Sequence, residues 1–453
     1  MRKGRTHAVR QDDPRSKHIK IQKYRSGRGC GMTKDELLEV IEAVLEKAEV
    51  PDVVAALTES RDAAVRFGQN RITQNMDTFE RKLRITLGDG SRKTVYSTHR
   101  IDVDAVPDIL EKAMDMLKTA SPDPEYMPPV PAGQIYPVVD AWDSRTADAD
   151  PSERIEAAAR AIGTAKKNGM EAAGLVGVSY ENTAIGTSTG NLAYHRSTDA
   201  YMRLTLDRGK PSSFRDLSAE AWDDLPVDSA IREVAAEVEA DENQKELEPG
   251  EYRLIFEPEA AGNLLPFIAW SMNARPADEG LTIFSGRQGE MVTGGNFTMT
   301  SEVNGVLKGT PFNSEGLASG DALWIDKGRL VNQPCTRYWA QKTGREPLFI
   351  PGTLAIEGDS GSVEDLVSST PGRALLFRRF WYIRFVDQKE LSLTGMTRDG
   401  VFLVEDGKII HPVKDFRWNW KPLDLFSRIE KLGAPQRKGQ ISVPPMVIGP
   451  TAL

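Results

Sequence analysis

The chain has 453 residues, 40% hydrophobic and 27% charged, which is enough apolar material for more than one core and excludes a wholly disordered chain. Its two cysteines, Cys30 and Cys335, form no CxxC pair, so neither a disulfide framework nor a zinc ribbon is expected and a reducing compartment fits best. The formal charge of −8 is uneven: residues 1–31 hold ten Lys/Arg against two Asp, which leaves −16 for the remainder and argues against a nucleic-acid binder.

Residues 1–31 lack apolar periodicity and read as a disordered basic extension, either a polyanion-binding tail or, the favoured reading, a segment that adds nothing to the fold. Thr33 followed by Glu36 predicts a capping box, and Leu37, Ile41, Val44, Leu45 and Ala48 then make one apolar stripe, a helix over about 33–49. Strands are expected at 64–67 and 71–74 around Gly68-Gln69-Asn70, and at 82–87 and 93–98 around Gly88-Asp89-Gly90. A helix follows at about 104–119, then a long connection over 120–151, then a helix to about Lys167 capped by Ser152 and closed by Asn168-Gly169. Strands at 173–180, 184–188 and 201–207 and a helix at 228–240 lead to Pro249-Gly250, where the main boundary is placed.

Beyond it the expected strands are short: 252–256, 323–325, 375–377, 381–386, 391–394, 402–405 and 408–410, the last two joined by the hairpin signal Asp406-Gly407. Helices are expected at 258–272 and at 422–432, the second ended by Gly433.

Candidate chemistry is sparse. Gly358-Asp359-Ser360-Gly361 resembles the nucleophile loop of chymotrypsin-like proteases, but no matching histidine context exists and turn material is the favoured reading. His99, His195 and His411 lie in or beside strands, and no two histidines have zinc-pair spacing. Glu257 and Glu259 bracket Pro258; an acid–base pair is possible, and helix capping is favoured. Ser285-Gly286-Arg287-Gln288-Gly289 and Gly294-Gly295 lack phosphate-loop context and read as a mobile loop or a substrate lid. Phe377-Arg378-Arg379-Phe380-Trp381-Tyr382-Ile383-Arg384 reads as a strand lining a core or groove rather than a base-stacking platform.

Three C-terminal runs carry a family resemblance: Phe380-Trp381-Tyr382-Ile383-Arg384, Thr394-Gly395-Met396-Thr397-Arg398-Asp399-Gly400-Val401-Phe402-Leu403 and Pro412-Val413-Lys414-Asp415-Phe416-Arg417. With Asn70-Arg71-Ile72-Thr73-Gln74-Asn75, Thr187-Ser188-Thr189-Gly190, Tyr194-His195-Arg196-Ser197-Thr198 and Gly439-Gln440, the sequence resembles the TldD/TldE (PmbA-like) family over roughly residues 33–450. That resemblance implies a zinc metallopeptidase built from two related subunits. The TldD-type subunit carries HExxxH on a helix and a cysteine ligand near its C-terminus, and its zinc activates a water for attack on the scissile carbonyl.

The alignment implied by the resemblance puts Pro266, Phe267 and Ser271 at the three HExxxH positions and Pro435 at the cysteine position, so this chain resembles the TldE-type subunit. No catalytic residue, metal ligand or cofactor is expected in this chain itself, with zinc expected in a TldD-type partner. The implied assembly is a cytoplasmic heterodimer that binds unfolded peptide in extended form, with Trp270, Tyr382, Arg384 and Arg398 as candidate groove residues. The alternative is a metal-free homodimer that binds peptides or a protein partner without catalysis; no nucleic acid or membrane is expected as a partner. The expected fold class is α+β: an N-terminal α/β domain over 32–249, with an antiparallel sheet and flanking helices, and a mainly antiparallel, barrel-like β domain over 250–453.

Overall fold

Period-two burial organises the first half of the chain. In the computed structural model, which describes residues 31–453, β1 (Asp52–Gly68), β2 (Arg71–Gly88) and β3 (Lys93–Thr98) form an antiparallel meander. The β1–β2 turn has Gln69 and Asn70 at φ 51° and 56°, the left-handed pair that matches hairpin twist. β4 (Glu171–Thr187), β5 (Leu192–Asp207) and β6 (Ser212–Ala219) complete a six-stranded sheet of order β3-β2-β1-β4-β5-β6.

Four helices cover this sheet. Val53, Ala55 and Leu57 of β1 join one core with α1 (Lys34–Lys47) and α2 (Val106–Thr119). Ala63, Val65 and Phe67 join a second core, after the one-turn α3 (Ser144–Ala147), with α4 (Pro151–Lys167) and α5 (Val227–Ala240). Glu59 lies between the two cores with no exposure, and it is satisfied there by Arg81 Nε at 2.7 Å, the Met32 amide at 3.0 Å and Asn182 Nδ2 at 3.3 Å. The capping box at Thr33 and Glu36 is present. The cap of α4 is Asp150 in a box with Glu153, not Ser152, because Pro151 already occupies the first helical turn.

The strands run longer than their apolar patterns suggest. Residues 71–80 of β2 are exposed on both faces and pair only with β1, since β3 begins its pairing at Leu83. A strand wet on both faces has no alternation to read, and its pairing decides it.

From residue 250 the chain runs β7 (Glu251–Phe256), α6 (Pro258–Gly262), α7 (Leu265–Ser271), α8 (Ala274–Asp278), β8 (Met299–Ser301), β9 (Ala322–Asp326), β10 (Arg329–Leu330), α9 (Arg337–Thr343) and β11 (Leu354–Ile356). There follow α10 (Val363–Ser368), β12 (Arg373–Asp387), β13 (Ser392–Glu405), β14 (Lys408–Val413), β15 (Arg417–Trp420), α11 (Pro422–Phe426), β16 (Ile429–Leu432), β17 (Gln436–Lys438), β18 (Ile441–Val443) and β19 (Met446–Ala452).

A six-stranded sheet, β10-β9-β8-β11-β18-β17, and a curled seven-stranded sheet containing β14-β13-β12-β7-β19-β16 enclose one core, to which Phe256, Phe377, Trp324 and Met299 all contribute. Pairing is mainly antiparallel, with parallel β7–β12 and β11–β18. The fold is therefore α+β, as expected.

Two expected helices are cut short. The helix over 258–272 breaks between α6 and α7, because Pro266 lacks the amide a continuous helix needs and sits instead in the first turn of α7. The helix over 422–432 stops at Phe426, because 429–432 pairs with β19. The glycine-rich stretch read as a mobile loop is tied down by backbone bonds from Gly289 to Leu330 at 2.8 Å and from Val292 to Gly328 at 2.7 Å. Asp406 and Gly407, at φ 47° and 81°, form the expected hairpin turn. Met32–Leu453 pack as one compact unit.

Candidate functional site

The expected zinc-motif positions fall on α7 and a loop. Pro266 is exposed in the first turn of α7; Phe267 stacks edge-on against Phe385, with ring centroids 5.2 Å apart. Ser271 is 2% exposed, and its hydroxyl donates back to the Phe267 carbonyl at 2.8 Å. Pro435 is exposed between β16 and β17, beside Gly358. A pyrrolidine, a phenyl ring and a helix-bound hydroxyl offer no imidazole, thiolate or carboxylate, so these residues do not fit a zinc ion. Among the described residues, no three His, Cys, Asp or Glu side chains converge as a metal-holding group. Cys335 packs with Ala274, Trp339 and Ala340, and burial pushes its thiol pKa up. Cys30, His7, His18 and nearly all of the basic extension lie outside the described residues.

The other sequence candidates separate. Ser360 is exposed, and the Gly358 to Gly361 turn packs on the 433–435 loop so tightly that a Cβ on Gly358 would lie 2.4 Å from the Gly433 carbonyl. Among the described residues no histidine hydrogen-bonds Ser360, in keeping with a turn. His99 Nδ1 meets the Arg81 carbonyl at 2.9 Å and His411 Nδ1 the Pro412 carbonyl at 3.0 Å, each a contact with the backbone.

His195 is half-buried on β5, and burial alone pushes its imidazole pKa from 6.5 down to about 4. A ring that stays neutral in the fold but charges in the unfolded chain makes stability fall as the pH drops from 6.5 toward about 4. In His195→Gln, that part of the acid destabilisation is expected to disappear, as read from urea midpoints across the same pH window. An unchanged pH profile would contradict it.

The candidate groove residues occupy the outer part of the β12–β13 pair and the adjoining helix. Trp270 is 58% exposed and lies 5.1 Å from the Phe385 ring. Tyr382 is 60% exposed with φ 56°, at the bulge where the β12–β13 register shifts. The Arg384 guanidinium covers the Tyr382 ring at 4.4 Å, and Arg398 covers Trp381 at 4.7 Å. Trp270 thus reaches this strand through Phe385, next to Arg384, while Tyr382 and Arg398 meet different partners.

A large cavity lies elsewhere. A cleft of about 860 Å³ lies between β6 and α5 on one side and the C-terminal sheet and α10 on the other. Sequence reasoning passed over most of its charged lining. Glu257 makes no side-chain cap hydrogen bond at α6, contrary to the capping expected of it; it faces Arg378 Nε at 3.4 Å instead. Arg378 Nη1 also faces Glu237 at 3.5 Å, and Glu237 pairs with Arg215.

Arg379 Nη1 meets Asp399 at 3.1 Å while its guanidinium covers the Phe214 ring at 3.8 Å. Asp399, at φ 62°, adopts a left-handed conformation in the β13 irregularity and is only 3% exposed. Burial pushes the Glu257 and Glu259 carboxyls up, against the pull of Arg378 and Arg215 on Glu257 and of Lys438 on Glu259. The available signal was Glu-Pro-Glu directly after the wholly apolar end of β7, and Arg-Arg directly after the apolar run of β12. Charges that continue a buried strand need partners.

The architecture is a helix-covered six-stranded sheet followed by two mainly antiparallel sheets, one of them curled, around a shared core. Residues 249–452 match the family described as PmbA/TldA metallopeptidase C-terminal domain. The crystal structure of TldE from Thermococcus kodakarensis superposes with a TM-score of 0.84 at 18% identity, over 92% of this chain and 99% of that one. A putative modulator of DNA gyrase from Bacteroides thetaiotaomicron gives 0.80 at 18% identity, over 92% and 98%, and one from Thermotoga maritima gives 0.82 at 18%, over 93% and 100%. Among curated protein sequences, no match was found. Residues 249–452 thus carry a PmbA/TldA metallopeptidase C-terminal domain, and the chain as a whole shares the fold of these three structures.

Proposed function

We propose that the chain is a non-catalytic, TldE-type subunit of a TldD/TldE-like zinc metallopeptidase that processes unfolded peptides in the cytoplasm. The observation that carries this reading is the fate of α7. Where the resemblance puts a zinc-binding helix, Pro266 starts a new helical turn, Phe267 packs on Phe385 and Ser271 bonds to its own helix. Those side chains serve the fold and offer zinc nothing. The subunit's work is then to complete a partner's cavity and hold peptide. Two features support peptide binding: the far edge of β2 over 71–80, which no strand among the described residues covers, and the aromatic and basic groups Trp270, Tyr382, Arg384 and Arg398. An extended peptide adds to such an edge through backbone hydrogen bonds, with little sequence demand. Among the described residues no helix is long and apolar enough to cross a membrane.

The test measures zinc content and peptide cleavage for the chain alone, for a TldD-type chain alone, and for the two mixed. A one-to-one complex that cleaves more than either chain, with zinc bound only through the partner, is the expected result. Stoichiometric zinc and cleavage by this chain alone would refute the reading. A symmetric homodimer that binds peptide and ignores the TldD-type chain would establish the alternative.

A further inference from the structure

We propose that the cleft between β6, α5 and the C-terminal sheet binds a small zwitterion, a free apolar amino acid or dipeptide whose ammonium and carboxylate are both charged. The cleft's volume of about 860 Å³ suits a small molecule and its first shell of water. Leu217, Pro226, Val367 and Leu376 supply an apolar wall. The polar lining carries both signs of charge, and part of each sign is left without a close partner.

The Glu259 carboxylate has no cation within ion-pair distance among the described residues; the one hydrogen bond it accepts there comes from Asn263 Nδ2 at 3.4 Å. The ammonium of Lys438, which also lines the cleft, has no ion pair or hydrogen bond among the described residues, yet it lies near enough for its charge to act on both Glu259 and Glu257. Arg378 has ion-pair neighbours at 3.4 and 3.5 Å, but its buried Nε and Nη1 make no hydrogen bond. Asp399 Oδ2, also buried, meets Arg379 Nη1 at 3.1 Å without hydrogen-bond geometry.

Buried polar groups without hydrogen bonds carry a cost that a ligand or ordered water relieves. A purely anionic ligand would leave Glu259 unanswered, and a purely cationic one would leave Lys438 and Arg378 unanswered. A zwitterion answers both: its ammonium faces Glu259, its carboxylate faces Lys438 and Arg378, and its side chain meets the apolar wall.

This inference needs no partner and no peptidase activity, so it stands or falls separately from the subunit reading. The test is calorimetric titration of the purified full chain with leucine and with alanyl-leucine. The same titrations are run with the N-acetylated and C-amidated form of each, which remove one charge at a time. The expected result is saturable binding of at least one zwitterion, with a loss of ten-fold or more on capping either end. Glu259→Gln and Lys438→Met should each weaken that binding about ten-fold, the scale of one charged contact, with thermal melts close to the parent because neither side chain holds an ion pair. Two results would overturn the proposal: no binding of either zwitterion up to about 10 mM, which means a cleft filled by water alone, or capped forms that bind as well as the free ones.

Discussion

Phe377→Ala is expected to lower the unfolding free energy by about 3–5 kcal/mol, the range for deleting a fully buried aromatic ring. Phe377 is wholly buried on β12, where it pairs in register with Phe256 of β7. Its ring lies 5.5 Å from Phe256, 5.7 Å from Phe380, 5.8 Å from Trp420 and 6.0 Å from Phe416, mostly edge-on. Truncation removes the transfer energy of one ring and also breaks several quadrupole contacts at once. The stack of Trp418 on Trp420, at 4.8 Å, restricts how far the site can collapse into the void. Urea unfolding followed by tryptophan fluorescence reads the loss. Trp270→Ala is the control: that side chain is 58% exposed, and its removal is expected to cost under about 1 kcal/mol. Equal losses in the two variants would mean that the aromatic cluster is not the core of this half.

The second large effect is electrostatic. Arg378→Ala is expected to destabilise by about 3–5 kcal/mol, because it strips one of the two cations from a poorly solvated site and leaves Glu257 and Glu237 to share Arg215. The side chains of Arg378, Glu237 and Glu257 are each under one-sixth exposed, so solvent screens their interactions little. Burial already holds the Glu257 carboxyl pKa up, and Arg378 is the main opposing influence. Without the arginine, that carboxyl rises further. The folded state then binds a proton more readily than the unfolded one, so the variant's stability should rise as the pH falls.

Urea midpoints measured from neutrality downward in pH test both halves of this expectation, the variant losing less stability, or gaining some, as the medium becomes more acid. The double variant Arg378→Met with Glu257→Leu removes cation and anion together and should cost less than Arg378→Ala alone. A loss of under about 1 kcal/mol in Arg378→Ala would mean that water enters the cleft and screens the pair.

Local rules made part of this molecule legible. The capping box at Thr33 and the stripe from Leu37 to Val44 make α1 readable, because a helix is built from contacts a few residues apart. The Asn70 and Asp406-Gly407 turns are readable because left-handed φ selects few residue types. That Pro266, Phe267 and Ser271 offer a zinc ion no imidazole, thiolate or carboxylate follows from side-chain identity alone.

What the sequence left open depended on distant partners. β2 continues through a stretch wet on both faces because β1 lies beside it. Residues 429–432 form a strand rather than the end of a helix because β19 supplies its hydrogen bonds. Arg378 and Glu257 look like a strand end and a helix cap, yet they meet 121 positions apart in a cleft with Glu237 from α5. Charge is a property of one residue and can be counted from the sequence. Desolvation and pairing belong to the space around it, and only the tertiary structure closes that space.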